Sequence, residues 1–383
     1  MKTLILTCNT GEGHNSTAEA VKQVFDRHGQ SCDRADTLAF LSPLVSRMIC
    51  GWHTRIYRYI PKAFGAGYRA AETHPDVFRS KSLLYRFLTR GTDKLYRYVV
   101  KGGYDTIVCT HAFSALQATG LREKYPELAV YTAFVATDYT CSPSVRECNM
   151  DVFFIPDASL TDDFVSKGVP EERIVAAGLP VRLPFLTRLP SERAKEECGL
   201  SKDQRQLLMM CGSMGCGPMA ELTELLAARL PDDVVLTVIC GTNQGLYRKL
   251  SRRFTTCENV RILGYVKNIP ELMDAADLYL TKPGGISVTE AFAKGVPMVL
   301  VNAVAGCEQY NLQYCIEHGM AQTADMPSDI ADLCVSILSD EAATEQMRAR
   351  IAQYAHNDAA EAIFTYLLSA HDQSDLQTGE HIS

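Results

Sequence analysis

The chain has 383 residues, 46% hydrophobic and 22% charged, with a formal net charge of −7; this length favours two domains, and the composition excludes wholesale disorder. The longest apolar stretches, such as Val234 to Cys240 and Val296 to Ala305, fall far short of the roughly 18 to 20 residues a membrane helix needs. No secretory signal pattern follows Met1, so a cytoplasmic location is expected.

Lys2 to Cys8 is short and continuously apolar, as a central parallel strand should be. A helix is expected from near Ser16, where Ser16 and Glu19 have capping-box spacing and Ala18, Val21, Val24 and Phe25 form an apolar stripe. From Arg47 to Lys101, twelve Lys and Arg stand against three acids, for a local charge of +9, together with ten of the 32 aromatic residues. This segment suits an anionic partner; the alternative is an ordinary solvated helix pair with buried aromatics. Strand-to-helix units recur at Asp105 to Thr110 leading into His111, and at Val130 to Thr137 leading into Asp138.

Gly178-Leu179-Pro180-Val181, with Pro184 and Pro190, reads as a linker between domains over 1–180 and 181–355. The second half repeats the alternation, with strands expected at Gln206 to Cys211, Val234 to Cys240, Val260 to Leu263, Leu278 to Leu280 and Pro297 to Val301. Two helices are expected over about Glu341 to Ala370, then a polar tail. Fourteen scattered cysteines without a Cys-x-x-Cys pair read as free core thiols.

Ligands of parallel α/β sheets sit beyond the carboxyl ends of the strands. That rule selects His14, His111 and Asp138 in the first half, and the glycine loops after Cys211, Cys240 and Lys282 in the second. Gly11-Glu12-Gly13-His14-Asn15 is neither a dinucleotide fingerprint nor a P-loop. His14 near a helix N-terminus suits a neutral general base, or merely packs the turn. Gly212, Ser213 and Gly215 after one strand, and Lys282, Gly284, Gly285 and Ser287 after another, suit phosphate or serve as tight turns. Glu290 either meets a ribose diol or complements the helix dipole. No Asp-x-Asp occurs, so the usual carboxylate pair for a divalent cation is lacking and no metal or other cofactor is expected.

Together these segments resemble the diacylglycerol glycosyltransferases of the monogalactosyldiacylglycerol synthase and processive glucosyltransferase family, similar in turn to the N-acetylglucosaminyltransferase that makes lipid II. The resemblance rests on Gly11 to Asn15, Thr137-Asp138, Gly178 to Val181, Val238 to Asn243, Gly264 to Met273, and above all Ala275 to Glu290. It implies an α/β fold of the GT-B kind: two Rossmann-like domains facing a cleft, a last helix over 356–372 crossing back to the first, and a tail over 373–383.

The resemblance further implies an inverting transfer of a hexose from a UDP-sugar co-substrate to diacylglycerol, giving a β-glycosyl-diacylglycerol. His14 matches the base and Asp138 an acidic residue near the acceptor. Gly13 belongs with the donor loops, Gly212 and Ser213 match the diphosphate loop, Gly241 and Asn243 the nucleotide pocket, Tyr265 and Val266 the uracil strand edge, Glu290 the ribose contact, and Glu308 and Gln309 can read sugar hydroxyls. Trp52, Arg55, Tyr57, Arg58, Phe64, Tyr68 and His111 are expected toward the lipid, and the enzyme at the inner face of the cell membrane. The alternatives are a UDP-N-acetylglucosamine-dependent transferase acting on another lipid, a nucleotide-sugar epimerase, and a silent UDP-sugar-binding protein; no nucleic-acid partner is expected.

Two segments depart from the family pattern. Tyr139-Thr140-Cys141 follows Asp138 where a histidine and a tryptophan are usual, and Ala305 to Gln309 replaces Pro-Gly-Gln-Glu.

Overall fold

A computed structural model describes residues 1–9, 11–42, 44, 46–48, 61–73, 78, 79, 82–301, 306–356 and 358–379. Trp52, Arg55, Tyr57 and Arg58 lie outside the described residues, as does the side chain of Phe64. The chain divides into two compact units. One comprises Met1–Leu183 with Ala305–Cys307 and His356–Ser383, and the other Pro184–Val304 with Glu308–Ala355.

The first unit holds a six-stranded sheet in the order β2-β1-β3-β4-β5-β6, built from Lys2–Thr7, Ser31–Asp36, Thr106–Cys109, Tyr131–Val135, Val152–Ile155 and Ile174–Ala176 as β1 to β6. Every pairing is parallel. Alternate residues of a strand face opposite sides, so Leu4, Leu6, Ile107 and Phe134 enter one core while Ile5, Val108, Ala133 and Phe154 enter the other. Helices α1 (Glu12–Arg27), α2 (Pro61–Thr73), α3 (Leu83–Leu88), α4 (Thr92–Gly102) and α5 (Ala112–Lys124) belong to this unit. The last helix, α12 (Ala359–Gly379), packs on α1, with the Phe25 and Phe364 rings edge-on at 5.0 Å. Such a pair adds about 0.5–1.5 kcal/mol beyond area burial.

The second unit holds strands β7 to β12 at Arg205–Met210, Val234–Ile239, Val260–Leu263, Leu278–Thr281, Met298–Leu300 and Ala321–Thr323. Its sheet has the order β12-β11-β10-β7-β8-β9 and is again parallel throughout. Helices α6 (Met219–Arg229), α7 (Gln244–Arg253), α8 (Gly285–Lys294), α9 (Cys307–Glu317), α10 (Pro327–Leu338) and α11 (Glu341–Tyr354) accompany it, and α12 spans Ala359–Gly379. The segment Thr187 to Leu189 is fastened within this unit. The Lys294 ammonium, at the end of α8, donates to the Thr187 carbonyl and to the Asp274 carboxylate at 2.6 Å, and Asp274 accepts from the Leu189 amide at 3.2 Å.

Three expectations need correction. Helix α1 starts at Glu12, four positions earlier than expected, with Gly11 at its cap and no side-chain capping bond. Ser16 therefore lies inside the helix and forms no capping box, and Glu19 pairs with Arg34 instead. The final helix continues to Gly379, through residues expected to be tail. The aromatics of the basic segment divide, Tyr85 being core and Tyr98 40% exposed, and its cations Arg69, Arg86, Arg90, Lys94, Arg97 and Lys101 are exposed. Ten of the described cysteines are buried, and burial pushes the Cys141 and Cys211 thiols up to about 12.

Candidate active site

Strand order reverses between β1 and β3 in the first sheet and between β7 and β10 in the second. At such a point neighbouring loops leave in opposite directions and open a crevice for a ligand. Each unit has candidate residues at its own reversal.

In the first unit, β1 leads through residues 8–11 into α1, which carries Gly13 and His14, while β3 ends beside Thr110 and His111. The His14 Nδ1 lies 2.8 Å from the Thr110 carbonyl and 3.0 Å from the Thr137 hydroxyl. A carbonyl only accepts, so Nδ1 carries the proton, and in the neutral ring Nε2 holds the basic lone pair. The Thr110 hydroxyl donates to the His14 carbonyl at 3.2 Å, closing the arrangement. Burial lowers the His14 pKa, opposed by the Asp138 charge and the Thr110 carbonyl.

The His111 ring meets His14 edge-on at 4.4 Å, and its Nδ1 accepts the Phe113 amide at 3.0 Å, capping α5. His14, His111 and Asp138 thus come together at the ends of β1, β3 and β4. The departure after Asp138 is a packed segment: Asp163 accepts from the Cys141 amide at 2.8 Å, and Lys167 donates to the Cys141 carbonyl at 2.7 Å. Tyr68 is half-buried on α2. The Thr110 carbonyl has no sequence signature, since any residue supplies one.

In the second unit the loops after β7, β8 and β10 converge. A Cβ on Gly215, at φ +54°, would stand 2.4 Å from the Cys240 carbonyl oxygen, and one on Gly241, at φ +55°, 2.2 Å from that of Ser213. Both glycines therefore permit loop-on-loop packing, and the Thr242 amide donates to the Ser213 carbonyl at 2.9 Å. Asn243 has a structural task as well, accepting the Leu246 amide at 3.0 Å to cap α7 and donating to the Gly215 carbonyl at 3.0 Å.

After β10 the Lys282 stem passes Gly212, where a Cβ would lie 2.7 Å from its Cε, and its ammonium is paired with Glu308. Gly284 caps α8 without a side chain, which leaves the first amides of Gly285 and its neighbours open to an anion. Ser287 is engaged with the Tyr279 hydroxyl at 2.9 Å and the Thr281 hydroxyl at 3.1 Å. Glu290 is buried and lies beyond the first turn of α8, where the helix dipole acts weakly; its dipole reading is thereby weakened. Gln309 is exposed beside Glu308 on α9. Tyr265 and Val266 are not on a strand edge: β9 ends at Leu263, and they occupy the loop beyond it, with Tyr265 exposed.

Two parallel sheets of this topology, each with its loop cluster, make the GT-B fold. Residues 14–181 match the monogalactosyldiacylglycerol (MGDG) synthase family and residues 219–358 the glycosyl transferases group 1 family. The chain is therefore a glycosyltransferase joining a domain of the first family to one of the second.

A processive diacylglycerol beta-glucosyltransferase of Staphylococcus aureus is 27% identical over 341 residues, 88% of this chain and 84% of that protein. Among solved structures, a putative UDP-N-acetylglucosamine 2-epimerase from Listeria monocytogenes aligns with a TM-score of 0.64 at 13% identity over 97% of both chains. Anabaena HepE in complex with UDP aligns at 0.60 with 14% identity over 97% of this chain and 100% of that one. These last two share the fold.

Proposed function

We propose that the protein transfers a hexose from a UDP-sugar to diacylglycerol with inversion, giving a β-glycosyl-diacylglycerol. The observation that carries this reading is His14, whose Nδ1–H is held by the Thr110 carbonyl so that Nε2 is the base. The substrates follow the Staphylococcus aureus relative and the MGDG synthase match. Nε2 takes the proton of the acceptor hydroxyl as its oxygen bonds to the anomeric carbon; the bond from that carbon to the diphosphate breaks, and UDP leaves.

The donor lies against the loops at Gly212, Ser213 and Gly284, with the uracil near Tyr265 and Val266, the ribose at Glu290, and the sugar hydroxyls at Glu308 and Gln309. Asp138 and His111 face the acceptor. Preorganised amides and the α8 dipole stabilise the departing charge.

The enzyme works at the inner face of the membrane. No helix among the described residues is long and apolar enough to cross one. The exposed cations of α2 to α4 suit anionic headgroups, each worth about 1 kcal/mol near the surface, and Leu83 and Val100, 86% and 52% exposed, add apolar contact.

The experiment supplies diacylglycerol in anionic vesicles with UDP-glucose, UDP-galactose or UDP-N-acetylglucosamine, and follows UDP release and glycolipid. Lipid-dependent release with one donor is the expected result. Conversion of a UDP-sugar without lipid would identify an epimerase. Reversing Arg86, Arg90, Arg97 and Lys101 to glutamate should abolish vesicle binding while sparing UDP binding; unchanged vesicle binding would remove the membrane reading.

A further inference from the structure

Lys282 and Glu308 are 26 residues apart in sequence, yet their charged groups meet where the loop after β7 and the first turn of α8 converge. Their side chains are only 21% and 10% exposed. Two features hold them. The lysine stem passes close over Gly212, where a Cβ would stand 2.7 Å from its Cε, and Asn311 on α9, the helix that carries Glu308, donates to the Pro283 carbonyl at 3.0 Å. Gly284 lies under both groups: a Cβ there would be 3.3 Å from the Lys282 Nζ and 3.9 Å from the Glu308 Oε1. The Glu308 carboxylate therefore stands beside an ammonium and a helix N-terminus that has no side-chain cap, an arrangement that suits a phosphate group.

We infer that Glu308 is a placeholder for the donor diphosphate. The inference rests on the donor reading above and adds an ion-pair exchange to it. The diphosphate carries more negative charge and more acceptor oxygens than one carboxylate, so it takes over the Lys282 ammonium. Glu308 turns from Lys282 and accepts hydrogen bonds from the hexose hydroxyls, which a carboxylate does with both oxygens. Sugar reading is thus switched on by the arrival of the diphosphate.

The two partners then have opposite effects on nucleotide affinity, which a merely structural pair would not. UDP and uridine are titrated calorimetrically into the full-length protein and its variants. Glu308→Gln removes the competing charge, and UDP should bind roughly three- to tenfold more tightly while uridine is unchanged. Lys282→Met should weaken UDP about ten- to a hundredfold without touching uridine, and Lys282→Arg should restore most of the loss.

Glu308→Gln should also lose discrimination among the three UDP-hexoses. Weaker UDP binding in Glu308→Gln, or equal effects on UDP and uridine, overturns the exchange. No UDP binding by the unmodified protein would instead overturn the donor reading on which it rests. Unfolding temperatures of the variants separate a folding defect from either result.

Discussion

Replacing His14 with alanine should lower turnover about 100- to 10,000-fold, the range in which a positioned general base contributes, and leave UDP affinity within about twofold. The asymmetry follows from location. His14 lies at the strand reversal of the first unit, whereas Gly212, Gly241, Tyr265, Gly284 and Glu290, assigned to the nucleotide, belong to the second unit. Equal losses in affinity and turnover would mean that His14 organises its loop rather than the reaction.

The pH profile supplies a second reading. Burial holds the His14 pKa below its ordinary 6.5 despite Asp138 and the Thr110 carbonyl, which both favour the charged ring. The active form is neutral, so turnover should rise with pH along a limb centred below 6.5 and then level off. In His14→Ala the limb should vanish. A limb centred above 6.5 would show that the opposing charge outweighs desolvation, and a limb retained in the alanine variant would assign the titration to another group.

Replacing Lys294 with alanine should have the largest effect on stability, a loss of about 3–5 kcal/mol. The side chains of Lys294 and Asp274 are only 1% and 3% exposed, so the variant leaves a carboxylate in the interior with its charge uncompensated. It also frees the Thr187 carbonyl and loosens the segment that enters the second unit. Lys294→Met combined with Asp274→Asn keeps an acceptor for the Leu189 amide and removes both charges; less than half the loss is expected. Urea unfolding followed by far-ultraviolet dichroism measures both variants. A single variant no worse than the double one would show that water or a rearranged partner neutralises Asp274.

The apolar central strands were readable because a parallel strand covered on both faces shows no alternation, and Lys2 to Cys8 and Val234 to Cys240 are of that kind. Three of the four edge strands escaped, Val260–Leu263 being the one that was read. Ser31–Asp36 reads Ser-Cys-Asp-Arg-Ala-Asp, and as the outermost strand it pairs on one side only, so little in its composition marks it. Ile174–Ala176 and Ala321–Thr323 are edges too, and short. Val152–Ile155 is central and fully apolar, and its signal was present but brief.

At the site, strand ends selected loops that the fold brings together, yet chain neighbours could not reveal partners. His14 reaches Thr110 and Thr137 across 96 and 123 positions. The glycines at 215 and 241 look like ligand-facing residues in a one-dimensional reading; only the folded loops show that each is required by the carbonyl of the other loop.

The first unit is discontinuous in the chain, and this sets an order of events during synthesis. Its α1 face, with Val21, Val24 and Phe25, shares a core with Ala360, Ile363, Phe364 and Leu367 of α12. Those four residues leave the ribosome only after the whole second unit has been made. The domain begun first is therefore completed last, and its apolar flank stays uncovered while its successor collapses. Any chaperone that attends this chain has its longest-lived target on the outer face of α1.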